Sequence, residues 1–405
     1  MHVLMVNNLY PPIMAGGAEL IVAYLSEGLA ERGHRVTVVS TCGPEMEPYA
    51  PDLRNGVEVI RFFPRNVYWS FAREGQPRMR RLMWHVRDAW NSDAGRRFRA
   101  IIDTARPDIM HTHVIDGFSA AIWRRARRAG LKVIHTAHDY HLLCPRAFLL
   151  TRDWKICTRP SVVCRAYRGW HMKTTDDVDL FVSPSQFLLD RHRDSGLQAG
   201  VVVRNGIPLP KLTGRAPRTG RPPRFLLLCR LTVEKGVRVV LDAVSRLPRD
   251  LDVQLTIAGR GPLEPLVRQA AASDPRITFL GFVAGEEKQA LLSDADYLLI
   301  PSLWYENAPV AVIEAAAYGL GLIGSRIGGI PELVREGSTG HLFEPGDAAA
   351  LAGIMERLAR GEMPLENFDT SACAVAERHT VARMVDTYLD HYAELLQRQE
   401  ARLAT

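Results

Sequence analysis

The stretch Pro301-Ser-Leu-Trp-Tyr-Glu-Asn-Ala-Pro-Val-Ala-Val-Ile-Glu-Ala-Ala-Ala-Tyr-Gly319 reads as the end of a strand, a polar loop and a helix. Asn307 and Ala308 suit capping positions. Pro309 suits the first helical turn, where its missing N–H would be unpaired anyway, and Gly319 suits the stop. Glu306 is then expected just outside the helix and Glu314 inside it. Eight steps of about 1.5 Å span about 12 Å at most, so the two carboxylates can hold different parts of one elongated ligand. The backbone from Asn307 through Ala308 and Pro309 to Val310 lies between them, at a helix start that favours negative charge.

Outward from this stretch, short apolar runs alternate with helical patterns. The first half gives Val3 to Val6, a helix from Glu19 to Glu31, Val36 to Ser40, Val57 to Phe62, Ile109 to Thr112, Val133 to Ala137 and Leu180 to Ser183. The second half gives Phe225 to Cys229, Gln254 to Ala258, Ile277 to Leu280, Tyr297 to Pro301, Gly321 to Gly324 and Gly340 to Phe343. This is the rhythm of parallel βαβ units, and it predicts an α/β chain of two doubly wound domains. Residues 1–207 form the first, the Pro-, Gly- and Arg-rich segment 208–224 a linker, and 225–380 the second. Ligands of such sheets bind beyond the carboxyl ends of strands, so the two domains are expected to face each other across a cleft. Residues 381–405 carry an amphipathic helix.

At 405 residues the chain is too long for one ordinary core, and 47% apolar with 24% charged residues is a globular profile. No run of about eighteen apolar residues predicts a membrane span, and the chain opens directly as a strand, so a cytoplasmic location is expected. Six irregularly spaced cysteines do not make a disulfide scaffold. The net charge of +6 is uneven, because Arg61 to Arg168 holds 22 basic against 8 acidic residues. Nucleic acid is excluded as a partner, since no recognition motif accompanies these cations.

Gly16 and Gly17 lie between the first strand and the first helix, where their amides can approach a phosphate closely. Taken alone, such a pair also suits a plain tight turn. It is not a dinucleotide fingerprint, because the second strand ends in Ser40-Thr41-Cys42 without an acidic residue. Cys229-Arg-Leu-Thr-Val-Glu-Lys-Gly236 puts two cations, Arg230 and Lys235, in one strand-end loop, a fork and a point charge suited to a pyrophosphate. The bland alternative is a solvated turn paired to Glu234. Gly259 and Gly261 form another turn after a strand, and Gly281 ends the next one.

The ordered series Gly16-Gly17, Thr136-Ala-His138, Ser183-Pro-Ser185, Asn205-Gly206, Arg230 with Lys235, Gly259-Arg-Gly261-Pro262 and Glu306-x7-Glu314 resembles the retaining glycosyltransferase family 4, of the GT-B fold with two Rossmann-like domains. The resemblance covers nearly the whole chain. It implies a nucleoside-diphosphate-sugar donor, with UDP favoured over GDP, and a hexose-type sugar moved to a hydroxyl on a glycan, lipid-linked or small-molecule acceptor. Cell-envelope or exopolysaccharide synthesis is the implied setting. It further implies that Glu314 holds the ribose, Glu306 the sugar hydroxyls, Arg230 and Lys235 the diphosphate, Gly16 and Gly17 the phosphates by their amides, and Val283 the base through its backbone. His138 is placed beside the sugar, with a satisfied strand-end histidine as the alternative. Asp139, Ser185 and Asn205 fall on the acceptor side, in the first domain, and the C-terminal helix is implied to return to that domain. Alternatives are glycosylation of a small metabolite and a non-catalytic nucleotide-sugar sensor; a sensor would be expected to have lost Arg230, Lys235 or Glu306, and all three are present.

No Asp-x-Asp stands at a strand end, so no metal and no other cofactor are expected, with the two cations neutralising the leaving group instead. Cys144, Cys157 and Cys164 resemble a cysteine-bearing loop found in a subset of the family, but Tyr167 stands where its last cysteine would be. Buried free thiols are expected, against a zinc site completed by His141 or His171. Pro77 to Trp90 has apolar residues at 79, 82, 83, 86 and 90 with arginines between them, the pattern of a basic amphipathic helix. Two readings are open: an anionic membrane as partner, or packing on its own domain. The oligomeric state is not legible.

Overall fold

The computed structural model describes residues 1–14, 16–47, 51–209, 221–365 and 375–403. They divide into two units by contact: Met1–Leu149, Thr158–Gly206 and Val381–Thr405 in the first, and Leu150–Cys157 with Ile207–Thr380 in the second. Most of the expected linker falls outside the described residues.

The first unit holds an eight-stranded sheet of β1 (His2–Val6), β2 (Arg35–Thr41), β3 (Asp52–Arg54), β4 (Val57–Phe62), β5 (Ile109–Thr112), β6 (Lys132–Thr136), β7 (Leu180–Ser183) and β8 (Val201–Val202). Their order is β3-β4-β2-β1-β5-β6-β7-β8, and all pairs are parallel except β3 with β4. Burial on both faces explains the near-continuous apolar runs: Val3, Leu4, Met5 and Val6 are wholly buried. The sequence reading missed β3, whose polar Asp-Leu-Arg has no alternation. A signal was there, because Asn55 and Gly56 both take positive φ (47° and 79°), as a two-residue hairpin turn requires.

The second unit holds six parallel strands, β9 (Arg224–Leu228), β10 (Gln254–Ala258), β11 (Ile277–Gly281), β12 (Tyr297–Ile300), β13 (Gly321–Ser325) and β14 (Gly340–Phe343), in the order β11-β10-β9-β12-β13-β14. That is the Rossmann order, built outward in both directions from β9. The sheet reverses direction of growth between β9 and β12, and the loops leaving these two neighbours therefore stand side by side. Its core gathers Phe225, Leu227, Val240, Ile257, Leu299, Ile323 and Met355.

The last helix, Val381–Leu403, belongs to the first unit. Val385 and Val381 lie against Gly28, where a methyl group would meet Val385 at 2.8 Å, and Arg32 pairs with Asp386 at 2.9 Å. Its buried tyrosines reach the sheet: Tyr392 Oη lies 2.7 Å from His111 Nδ1, and Tyr388 Oη lies 2.9 Å from Thr136 Oγ1, which in turn lies 2.8 Å from His111 Nε2. Every member of this chain is buried, so each hydroxyl satisfies a group that water cannot reach. Tyr392→Phe is expected to lower the unfolding free energy by about 1–3 kcal/mol, read from chemical denaturation, because it orphans the imidazole of His111.

Candidate active site

The turning point between β9 and β12 gathers the second unit's predicted residues. After β9 the loop Cys229–Gly236 makes a short 3₁₀ turn over Val233–Lys235. After β12 the loop Pro301–Pro309 leads into the helix Val310–Ala317. Gly236 has φ +71°, and a Cβ there would run into the carbonyl oxygen of Pro301. Backbone meets backbone, and Leu303 N–H donates to the Glu234 carbonyl at 2.8 Å. A third loop holds the other side, with Gly329 N–H donating to the Glu306 carbonyl at 2.6 Å.

This stitching brings Lys235 to Glu306. Glu306 Oε1 accepts from Lys235 Nζ at 2.6 Å, Ser302 Oγ at 2.7 Å and Trp304 Nε1 at 2.8 Å. The ammonium also lies 5.2 Å from the Trp304 ring centroid. Burial alone would push the Glu306 carboxyl up, but the Lys235 charge and the three donors outweigh it and hold the group below the ordinary carboxylate value of 4.5. Glu306 is therefore an anion, and Lys235 its counter-ion. Ser302 and Trp304 were not singled out from sequence, although both lie within four residues of Glu306.

Arg230 points more freely. Its side chain is 55% exposed and stands 3.5 Å from the buried Glu234 carboxylate, which also accepts from Thr232 Oγ1 at 2.6 Å. The bland reading of this loop is thus realised for Arg230 but not for Lys235. Gly259 and Gly261 are close-approach residues: a Cβ on Gly259 would collide with the Cys229 carbonyl, and one on Gly261 would come 2.5 Å from the Leu231 carbonyl. Their first task is to let neighbouring loops touch.

Pro309, at φ −65° and ψ 120°, is the N-cap of its helix rather than a residue of the first turn expected from sequence, because Val312 and Ile313 both donate to its carbonyl. Asn307 and Ala308 accordingly precede the cap. Lacking an N–H, Pro309 adds no amide to the row from Asn307 to Val310. Gly319, at φ +69°, ends the helix. Glu314 accepts from Lys288 Nζ at 2.6 Å, a partner 26 positions away that no local pattern reveals. Val283 is buried, while its neighbour Phe282 is exposed and carries the Arg260 guanidinium 4.1 Å above its ring.

In the first unit, Gly17 caps the helix Ala18–Glu31, and the Gly16 N–H donates to Glu19 Oε2 at 3.0 Å. A carboxylate of the chain itself thus occupies the amide expected to meet a phosphate. His138 Nε2 lies 2.9 Å from His113 Nδ1, their rings stacked at 5.2 Å, and withdrawal from water pushes His138 down to about 4, so it is neutral at pH 7. Asp139 accepts its bond from His141 N–H at 2.8 Å. Ser185, expected on the acceptor side, is buried and caps the helix Gln186–Arg193 through Leu188 N–H. Asn205 is buried. Cys144, Cys157 and Cys164 are free thiols, half-buried rather than buried as expected.

The helix Arg78–Ala89 turns its apolar side outward. Met79, Leu82, Met83 and Val86 are 67%, 56%, 54% and 68% exposed, while Trp84 and Asp88 are buried. A second helix, Val162–Thr174, meets its end through Trp170 Nε1 donating to the Ala89 carbonyl at 3.0 Å, and leaves Val162, Val163 and part of Trp170 exposed. The first of these helices does pack on its own domain, through Trp84, whose Nε1 donates to the Tyr68 carbonyl at 3.0 Å, while its other apolar side chains face outward. No helix among the described residues is long and apolar enough to cross a membrane.

Residues 15–210 match the profile of Glycosyltransferase Family 4, and residues 222–360 that of Glycosyl transferases group 1. Among curated relatives, the glycogen synthase of Mycobacterium tuberculosis is 32% identical over 88% of this chain and 85% of its own. An uncharacterized 42.6 kDa protein in the cps region of Klebsiella pneumoniae is 29% identical over 83% and 88%. The amylovoran biosynthesis glycosyltransferase AmsK of Erwinia amylovora is 35% identical over 43% of this chain and 46% of its own. Among solved structures, the sucrose-phosphate synthase of Thermosynechococcus elongatus superposes with a TM-score of 0.75 at 19% identity, covering 98% of this chain and 99% of that one. Anabaena HepE, solved in complex with UDP, gives 0.69 at 17% identity, covering 97% and 100%.

Replacing Glu306 by Gln is expected to cost about 3 kcal/mol of stability near neutrality, since it leaves the mostly buried Lys235 without its counter-ion. Because the folded carboxyl is held below 4.5, the advantage of wild type over Glu306→Gln is full above that pH. It shrinks as the pH falls through the depressed folded value. Denaturation of both proteins between pH 7 and pH 3 checks the sign.

Proposed function

We propose, given that this chain belongs to the family 4 and group 1 glycosyltransferases of the GT-B fold, that it is a retaining transferase moving a hexose-type sugar from a nucleoside diphosphate, UDP before GDP, to a hydroxyl acceptor. It is a glycosyltransferase with relatives in exopolysaccharide biosynthesis, and a glycan or lipid-linked acceptor of that kind is the one we favour. The UDP bound by HepE supports the choice of base.

The observation that carries this reading is the pairing of Lys235 with Glu306 beside Arg230 at the turning point of the second sheet. Departure of the nucleoside diphosphate breaks the bond between the sugar carbon and the phosphate oxygen, leaving positive charge on the sugar and negative charge on the diphosphate. Arg230 and Lys235 stabilise the developing anion more than the ground state, which is the condition for catalysis. Glu306 has two tasks: it fixes the ammonium and offers its carboxylate to sugar hydroxyls. Glu314, released from Lys288, takes the ribose hydroxyls. The acceptor oxygen attacks from the side the diphosphate leaves, and its proton passes to the departing phosphate, so no protein nucleophile and no metal are needed for the step.

Arg230→Ala is expected to lower turnover more than it weakens donor binding, because an interaction strengthened in the transition state appears in kcat. Unchanged turnover would remove Arg230 from this role. A panel of UDP-, GDP- and ADP-sugars, read by thermal stabilisation and slow nucleotide release, identifies the donor; we expect a UDP-sugar to stabilise, and release to persist in chelator.

The outward apolar side of Arg78–Ala89, flanked by the exposed Arg78, Arg80 and Arg87, suits an anionic membrane surface. At low salt the protein is expected to sediment with vesicles containing phosphatidylglycerol and to remain in solution with phosphatidylcholine alone. Exchanging Leu82 and Met83 for Ser should release it; equal recovery from both vesicle types would refute the membrane contact.

A further inference from the structure

A separate group of side chains in the first unit has no part in the donor chemistry. Asp88 lies in the last turn of the helix Arg78–Ala89, Asp116 follows β5, and His141 lies in the loop after β6. Each offers one ligand atom, and the three atoms lie within 4.8 Å of one another. His141 Nε2 stands 3.5 Å from Asp88 Oδ2, and its Nδ1 stands 4.0 Å from Asp116 Oδ1. Asp88 is fixed from behind by Gly117 N–H, which donates to Oδ1 at 2.9 Å and leaves Oδ2 turned to the imidazole.

Two buried features point to a ligand there. His141 is only 6% exposed, and its Nε2, aimed into the group, has no hydrogen-bond partner. Next to it, with ring centroids 5.5 Å apart, His171 is wholly buried with neither ring nitrogen bonded. Among the described residues neither aspartate forms an ion pair with Lys or Arg within 4.0 Å; imidazole is the nearest counter-group to both, with the Arg73 guanidinium acting on Asp116 from farther away. Burial pushes both carboxyls up, repulsion from Asp116 pushes Asp88 further, and a bound cation would favour their ionised forms. Asp116 and His141 also line a cavity of about 210 Å³ with Arg73, Trp84, His85 and Asp139.

We propose that Asp88, Asp116 and His141 bind a divalent metal ion, with a position open toward this cavity for an oxygen of a hydroxylated ligand. Two carboxylate oxygens and one imidazole nitrogen make a mixed hard and borderline donor set, which suits Zn²⁺ or Mn²⁺ better than Ca²⁺ or a thiolate-bound ion. Metal bonds of about 2.0–2.2 Å bring ligand atoms to about 3–4 Å from one another, so the widest separation, up to 4.8 Å, would close by about 1–2 Å. The proposal stands apart from the donor reading, in which the leaving diphosphate is neutralised by Arg230 and Lys235.

The test is titration of the chelator-treated full-length protein with ZnCl₂ and with MnCl₂, followed by calorimetry and by thermal unfolding. One equivalent is expected to bind and to raise the melting temperature. Asp116→Asn, at a side chain 27% exposed, should weaken binding at least tenfold while keeping the wild-type circular dichroism spectrum. The Cys144→Ser, Cys164→Ser double variant should bind as wild type does, and Co²⁺ should give d–d bands without a thiolate charge-transfer band. Absence of binding by wild type, undiminished binding by Asp116→Asn, or loss of binding in the cysteine variant would each overturn the assignment. If His141→Ala fails to fold, Asp116→Asn and the Co²⁺ spectrum decide.

Discussion

The second unit depends on one steric constraint: two loops at the turning point of its sheet touch through their backbones. Gly236 against the Pro301 carbonyl leaves no room for a side chain, and Gly259 repeats the arrangement against Cys229 one strand over. These contacts are what place an ammonium from one loop within 2.6 Å of a carboxylate from the next. Had the loops been held apart by a methyl group, Lys235 and Glu306 would each have to find a partner in water. The ion pair is strong here because its frame is rigid and partly dry, with Ser302 and Trp304 fixing the carboxylate.

Most of the strands were legible because parallel strands buried on both faces leave apolar runs bounded by turns. The β4, β5, β7, β10 and β14 spans coincide with the apolar runs read from sequence, β1, β11, β12 and β13 differ by one residue at one end, and β2, β6 and β9 by one at each end. Short edge strands left no apolar run, since Asp52–Arg54 and Val201–Val202 bury little, and only the Asn55-Gly56 turn marks the first of them. Glu306 and Lys235 were readable through loop position after neighbouring strands. The Lys288–Glu314 and Gly16–Glu19 contacts were not, because they depend on side-chain reach rather than on any period in the chain. Pro309 shows the limit of a rule: proline is tolerated at a helix start, but the backbone decides whether it caps or begins the helix.

The first unit is organised differently, around buried imidazoles. His111, His113, His135 and His138 line neighbouring strand ends, and burial keeps each of them neutral. They act as two-ended connectors. His111 joins Tyr392 to Thr136, His113 joins Met5 to His138, and Thr112 joins His135 to Trp123. A sheet edge so filled with polar groups stays dry because every group has a partner on an adjacent element, which ties the helix Val381–Leu403 to the strands chemically as well as by packing.

That tie sets an order on the protein's birth. The first unit holds most of the residues up to 206, yet the hydroxyls that complete its buried histidine chain belong to residues 388 and 392. During synthesis the chain makes the whole second unit before the tyrosines that complete the first unit's histidine chain exist, whereas the core of the second unit lies within residues 225–358. The earlier unit is thus completed by the last residues to be made.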